Sequence, residues 1–339
     1  MDVRRIAADL GVRYIVEGSV RKSGSRIRIT ARLLDGATGG HVWAERYDRD
    51  LKDIFEIQDE VTREIVVALA VALTPHERQT FAHRRSVDLN AYEHYLRGRE
   101  FVYRHTNAAN AQALAAFQAA VNIDANFAAA NAILAYCMVV NFINRWGEPE
   151  NRSIDTAVRI SQKAVRLEPF EPRTHFALGV AYLWSKRHND AIVEEERAIA
   201  LEPNFADAHA ALAQIFCYAG KPKESIERSE IAMRLDPHYP SLLLHILGHA
   251  HFLLEQYDDA ACALRSRLVR NPDSDMSRVL LAACYGHLGQ REQARTEWNE
   301  ALRINPTYSF DQRRRMLPYQ NLADFERIVD GVRGAGLLN

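Results

Sequence analysis

The stretch HILGHAH carries His245, His249 and His251 within seven residues, the densest set of side chains in the chain that could do chemistry. His245 and His249 stand four apart, so on a helix two imidazoles share one face, a legitimate metal spacing. The glutamate of an HExxH motif is missing, and with it the general base of a zinc hydrolase. Three readings stay open for the pair: ordinary groove residues, contacts with a partner, or metal ligands. Zinc raises the melting temperature only under the last. Serine, histidine and carboxylate residues form no GxSxG nucleophile motif. The glycine-rich DGATGG, residues 35–40, leads into a strand rather than a helix, which argues against a phosphate cradle. Cys137, Cys217, Cys262 and Cys284 form no CxxC and no zinc-finger spacing with histidine, and read as small buried residues of helices in a reducing compartment. The basic run DQRRRMLP, 311–318, reads as a solvated helix end, with phosphate contact as the alternative. No cofactor, no metal and no enzymatic activity are expected.

Bulk properties narrow the field further. The chain has 339 residues, 47% of them apolar and 26% charged, with a formal net charge of −1. The strongly basic footprint of a nucleic-acid binder is therefore absent. The longest apolar run, IVVALAVAL at 65–73, is far short of the roughly 20 residues a helical membrane span needs. No leader pattern opens the chain, so the sequence as written predicts a cytoplasmic location.

The elements that would position any site come from a repeat. Pro169, Pro203, Pro237, Pro272 and Pro306 are spaced 34, 34, 35 and 34 residues apart. Between them large and small residues recur at fixed offsets: Leu178, Gly179, Tyr182, Ala191 and Ala198, then Leu212, Ala213, Phe216, Ser225 and Ala232, then Leu247, Gly248, His251, Ala260 and Arg267, then Leu281, Ala282, Tyr285, Ala294, Trp298 and Ala301. The small residues let two antiparallel helices approach. The large ones fill the groove between them, and proline stops the second helix. AGK and LGQ in mid-unit supply the turn.

This pattern resembles the tetratricopeptide repeat, specifically over 172–306. Looser units precede it, and the resemblance predicts six: 91–125, 127–169, 172–203, 206–237, 241–272 and 275–306. The segment 307–339, with LADFERIVDGVRGAGL, reads as a capping helix and tail over the last unit's exposed face. The resemblance implies a solenoid whose first helices line a concave groove that binds a peptide or partner protein. The positions that match the groove-facing ones are Arg173, Phe176, Gln214, Tyr218, His245, His249, Phe252, Met276 and His287. Arg173 alone is strongly cationic, so a mixed or apolar peptide suits this groove better than an acidic peptide end. His251 takes the tyrosine place and is expected to pack inward.

Residues 1–75 read differently. VRRIAADL suits a short helix. RYIVEGSVRK, RIRITARLLD and HVWAERYD alternate with period two, as strands with one buried face do. SGS at 23–25 and DGATGG are the turns. A long amphipathic helix follows, with Ile54, Ile57, Val61, Ile65 and Leu69 on one stripe and Asp50 or Asp53 placed to cap it. The outer arginines, Arg26, Arg28 and Arg32, read as a solvated face, with an anionic partner as the alternative. The string from GVRYIVEG to TREIV resembles the end of a TolB amino-terminal-like domain, which stands before tetratricopeptide repeats in many bacterial signalling proteins. In that family a further strand and helix precede the part that begins here at Asp2. The resemblance thus predicts a truncated domain whose uncovered sheet invites self-association, then a linker over 76–90.

The expected fold is mainly α: a tetratricopeptide αα-superhelix preceded by a small, incomplete α+β domain with a three-stranded antiparallel sheet. The expected function is a non-enzymatic interaction scaffold with a protein or peptide ligand, no nucleic acid and no membrane span. The alternative is a regulatory portion of an adenylate or guanylate cyclase, or of a transcriptional activator, separated from its output domain. Family members often carry such domains upstream of a membrane segment, which would make the location periplasmic. No domain able to hold the two metal-binding carboxylates of cyclase chemistry is recognisable in this chain.

Overall fold

Strand β2 (Arg26–Asp35) turns Ile27, Ala31 and Leu33 inward, all buried, and leaves Arg26, Arg28 and Arg32 exposed, as its alternation requires. It is the middle strand of an antiparallel sheet between β1 (Tyr14–Ser23) and β3 (His41–Asp50). Helix α1 (Val3–Leu10) precedes the sheet and α2 (Ile54–Ala68) follows it. The computed structural model describes residues 3–10, 12–50, 54–68, 87–102, 104, 106–146 and 153–338. Leu69, Asp53 and most of the expected linker lie outside these residues. The chain divides into two compact units, Met1–Leu89 and Asn90–Asn339.

In the first unit α2 packs over β3 and β2, and Ile57 joins Ile27 and Tyr47 in a small core edged by Ile29, Trp43 and Val61. Val16 pairs with Leu33 and Val20 with Ile29, so both face the same side as that core. They are nonetheless 55% and 65% exposed. On the opposite face Asp48 accepts from Arg26 at 3.0 Å and Arg28 at 2.6 Å, so two of the outer arginines are paired within the sheet. Gly24 makes the first hairpin at φ +60°, a conformation that costs an L side chain and not glycine.

The second unit is a stack of helix pairs: α3 (Leu89–Val102) with α4 (Asn107–Ile123), α5 (Ala128–Asn144) with α6 (Ile154–Leu167), α7 (Pro172–Trp184) with α8 (His188–Leu201), α9 (Ala206–Tyr218) with α10 (Pro222–Leu235), α11 (Leu242–Leu253) with α12 (Tyr257–Arg270), and α13 (Asp275–His287) with α14 (Arg291–Ile304). The architecture is a tetratricopeptide solenoid. Each marker proline stands two residues past its second helix, where the missing amide and the bulky ring end the hydrogen-bond ladder. Ala191, Ala198, Ala232, Ala260, Ala294 and Ala301 are all exposed by 1% or less, the close-approach positions of the pairs. A methyl group at Gly179 would stand 2.6 Å from the Glu195 carboxylate, and one at Gly248 2.8 Å from Leu264 Cγ.

The turn within a pair has one backbone solution. Arg145, Lys186, Gly220, Glu255 and Gly289 sit at equivalent places with φ between 56° and 72°. Two of the five are glycine. A second recurrent device joins one pair to the next. A first-helix side chain donates to the carbonyl six residues earlier, where the preceding helix pair ends: Asn131 to Ala125, His175 to Pro169, His209 to Pro203 and Arg278 to Pro272, at 2.9–3.2 Å. In the fifth pair the equivalent residue, four before Gly248 as His175 is before Gly179, is Leu244, which has no donor. Arg270 donates instead to the Tyr239 carbonyl at 3.3 Å, and Arg267 to the Ser241 hydroxyl.

Among the described residues no helix is long and apolar enough to cross a membrane.

Candidate peptide-binding site

The first helices α5, α7, α9, α11 and α13 line the inner face of the stack, and that face is occupied. After α14 come a short helix, α15 (Phe310–Met316), an extended stretch over 317–321, and α16 (Leu322–Gly334). The sequence predicts a cap over the last pair. Helix α16 packs on α13, the first helix of that pair, but the residues leading into it run back along the inner face. Arg145 at the end of α5 bonds Gln312, and Lys186 donates to the Arg315 carbonyl at 2.9 Å. His188 Nε2–H donates to the Pro318 carbonyl. The Gln320 amide donates to the Tyr218 carbonyl at 2.9 Å, backbone to backbone, as a strand-like ligand would. Farther along, Arg327 donates to the Leu253 carbonyl and His287 Nε2–H to the Arg327 carbonyl, both at 2.9 Å.

Tyr319 is the anchor of this segment. Its ring packs edge-on against both Tyr218 at 5.0 Å and His249 at 5.4 Å, closing a triangle of rings, and its hydroxyl meets His249 Nε2 at 2.7 Å. Leu317, Phe325, Ile328, Val329 and Val332 bury the rest of the segment's apolar surface. Helix α16 can come this close to α13 because two glycines face each other. A methyl group at Gly286 would stand 1.8 Å from the Gly331 carbonyl oxygen, and one at Gly331 2.5 Å from that of Ala283.

The nine expected groove residues fall into three groups and two isolated positions. Tyr218, His245 and His249 form one cluster, with 5.5 Å between the Tyr218 and His249 rings and 6.2 Å between the two imidazoles. All three are buried, and so is Phe252, which packs 5.7 Å from the half-buried His287. Arg173 is exposed over Phe205 at 5.3 Å, and Phe176 is 5.5 Å from the same ring. Gln214 and Met276 are half-buried and join neither cluster. So Tyr319 of the inner segment covers Tyr218 and His249, while His245 packs on His249 and Ser277, and Phe252 on Tyr257 and His287, within the stack. The reason is the aromatic and apolar surface of that segment, which needs the same cover a ligand would.

Burial sets the electrostatics here. It holds the His245 imidazole down to about 3, helped by His249, and holds His249 down to about 4. His245 Nδ1 is bonded to Ser277 Oγ at 3.0 Å, so each ring of the pair has a protein partner. Among the described residues no three His, Cys, Asp or Glu side chains converge to hold a metal ion. His251, expected to pack inward, is half-buried and bonds Gln256 at 2.7 Å. Beside Arg173 a cavity of about 490 Å³ is lined by Phe205, Asp207, Asp236 and His238. Burial and then Asp236 raise the Asp207 carboxyl above its ordinary range. The inter-pair donors and the Tyr319 anchor escape sequence reading: the first has only a six-residue offset from a proline as its signal, the second none.

No family model matches the chain. A curated relative from Rhizobium meliloti (strain 1021), named "Putative adenylate cyclase 3", is 42% identical over 190 residues. The match takes in 56% of this chain and 32% of the relative, so the chain spans about a third of that protein's length. Among solved structures, the APC/C hetero-tetramer Cut9-Hcn1 aligns with 83% of this chain and 52% of its own, at a TM-score of 0.53 and 17% identity. The thermophilic TPR protein TTC0263 of Thermus thermophilus aligns with 59% of this chain and 99% of its own, at a TM-score of 0.44 and 19% identity. At these identities the likeness is one of fold.

Proposed function

We propose that this chain is a non-enzymatic interaction module of bacterial signalling, which holds a peptide or a partner protein on the inner face of its solenoid. The observation that carries the reading is the extended stretch 317–321, bound on the inner face by one backbone hydrogen bond to Tyr218, one bond from His188 to the Pro318 carbonyl and one aromatic anchor, as peptides are bound in grooves. Arg173, Phe176, Gln214 and Met276 are the expected contacts a ligand reaches first. Tyr218 and His249 come into reach when the inner segment leaves, His287 when Arg327 leaves with it, and His245 and Phe252 act through the rings they support. A photo-crosslinking residue placed at Arg173 or Gln214 in living cells should give adducts with one discrete protein. An absence of adducts at both sites overturns the reading.

The likeness to a protein named as an adenylate cyclase favours a second reading, in which the chain is the regulatory portion of a cyclase and its output domain lies elsewhere. Under both readings the purified chain makes no cyclic AMP from ATP and magnesium. Production of it would sink the non-enzymatic assignment. Division into a TolB-like domain over 1–75, a linker over 76–90, six repeat units over 91–306 and a tail over 307–339 belongs to the same proposal. Limited proteolysis should cut first within 76–90. Exposed Val16 and Val20 on the open strand β1 fit self-association of the sheet, which sedimentation at micromolar concentration reads as dimer against monomer.

A further inference from the structure

We infer that the inner face between α7 and α13 is built to receive an extended tyrosine-bearing segment that runs into an amphipathic helix, and that residues 317–337 are its displaceable intramolecular occupant. The inference rests on the peptide-binding reading and names the chemistry of the ligand. Contacts come from four successive helix pairs. His188 takes the carbonyl of Pro318, the Tyr218 carbonyl takes the amide of Gln320, the Leu253 carbonyl takes Arg327, and His287 takes the Arg327 carbonyl. Three of these contacts meet backbone groups that any chain offers, and the fourth takes the Arg327 guanidinium, so selection falls to the side chains.

Besides Arg327, two positions do the selecting. The adjoining faces of Tyr218 and His249 take a flat ring edge-on, and His249 Nε2 takes its hydroxyl. Phenylalanine there would leave a buried ring nitrogen without its partner. Twelve residues on, Gly331 passes the Ala283 carbonyl too closely for any side chain. A partner segment therefore carries a tyrosine and, one short helix later, a glycine.

The segment is displaceable because the helices of each pair, and successive pairs, also pack on one another through their own alanine, leucine and glycine positions. Release of 317–337 leaves those contacts in place and frees the conformational entropy of an ordered stretch, and it exposes Leu317, Tyr319, Phe325, Ile328 and Val332, which share the stack's core and whose place a ligand fills again. A tethered occupant also acts at a high effective concentration, so a ligand in solution meets a closed groove until the tether is weakened.

The test uses the full chain and a synthetic peptide of residues 309–339 as probe. The wild-type chain should bind it at least ~100-fold more weakly than a Tyr319→Ala/Phe325→Ala chain, whose receiving face is intact. Adding Gly286→Ala to that double variant should remove the gain, since the new methyl meets the peptide's Gly331. Equal binding by wild type and a helical double variant, or none by either, overturns the inference. Should the variant not fold, hydrogen exchange of the wild-type chain decides. Amides of 320–334 are expected to exchange ~100-fold faster than those of α9 and α13. Equal protection makes the segment a permanent layer of the core and overturns the inference. Loss of peptide binding with crosslinks at Arg173 intact would sink this inference alone. Peptide binding as expected with no crosslinks at Arg173 or Gln214 would sink the interaction-module reading and leave the intramolecular occupant standing.

Discussion

Glu195 sits where Leu264 and Trp298 sit in later pairs, fully buried in α8 against Gly179. Among the described residues neither carboxylate oxygen has a hydrogen-bond partner. Burial, and then Glu194 nearby, raise its carboxyl well above the ordinary 4.5, so the folded chain keeps it neutral. An unfolded chain ionises it above that value, so its contribution makes stability fall as pH rises from 4.5. Glu195→Leu should therefore raise stability by ~2 kcal/mol at neutral pH and by less at pH near 4, read by urea unfolding. His245 and His249 act with the opposite sign. Their folded values near 3 and 4 lie below the unfolded 6.5, so stability falls as pH drops from 6.5 towards 4. Above 4.5 the two histidines and the one glutamate therefore oppose each other, the histidines making stability rise with pH up to 6.5 and Glu195 making it fall. Glu195→Leu should flatten the alkaline limb and His245→Gln/His249→Gln the acid one.

At the scale of the element the turn inside each pair decides. Its left-handed residue is glycine at Gly220 and Gly289 and a side-chain residue at Lys186 and Glu255. Nothing stands within 4 Å of a methyl group at Gly289, so Gly289→Ala tests the backbone alone and should cost ~1 kcal/mol in thermal melts. Glu255→Gly should gain ~0.5 kcal/mol, the relief being partly offset by a freer unfolded chain. These elements were legible in the sequence because proline, glycine and alanine act locally: Pro203 ends a helix whatever lies near it. The strands were legible for the same reason, since Ile27 to Leu33 alternate wherever the sheet is. The site was legible only in part. Offsets put Tyr218 and His249 on the inner helices, but nothing local says that Tyr319, 70 residues beyond His249, fills the space between them. That contact depends on the curvature of the whole stack.

Over the whole molecule, stability of an open repeat array is close to a sum of nearest-neighbour terms. Here 310–337 ties α5, α7, α9, α11 and α13 together, so distant pairs share a common strap. The second unit should unfold in one steep urea transition. Tyr319→Ala/Phe325→Ala should broaden it or split it, with a lower apparent m-value, because the pairs then melt in smaller groups. The fifth pair bears most on this. Four joints of the stack are stitched by a first-helix donor reaching the previous pair's terminal carbonyl, and the joint into the fifth pair, with Leu244 in that place, is held from α12 instead, by Arg267 and Arg270 on the connecting loop. That loop moves with the fifth pair and not with the fourth. Any tightening or loosening of the coil as something enters or leaves its bore would be taken up between α10 and α11, with the turns on either side swinging as rigid arms.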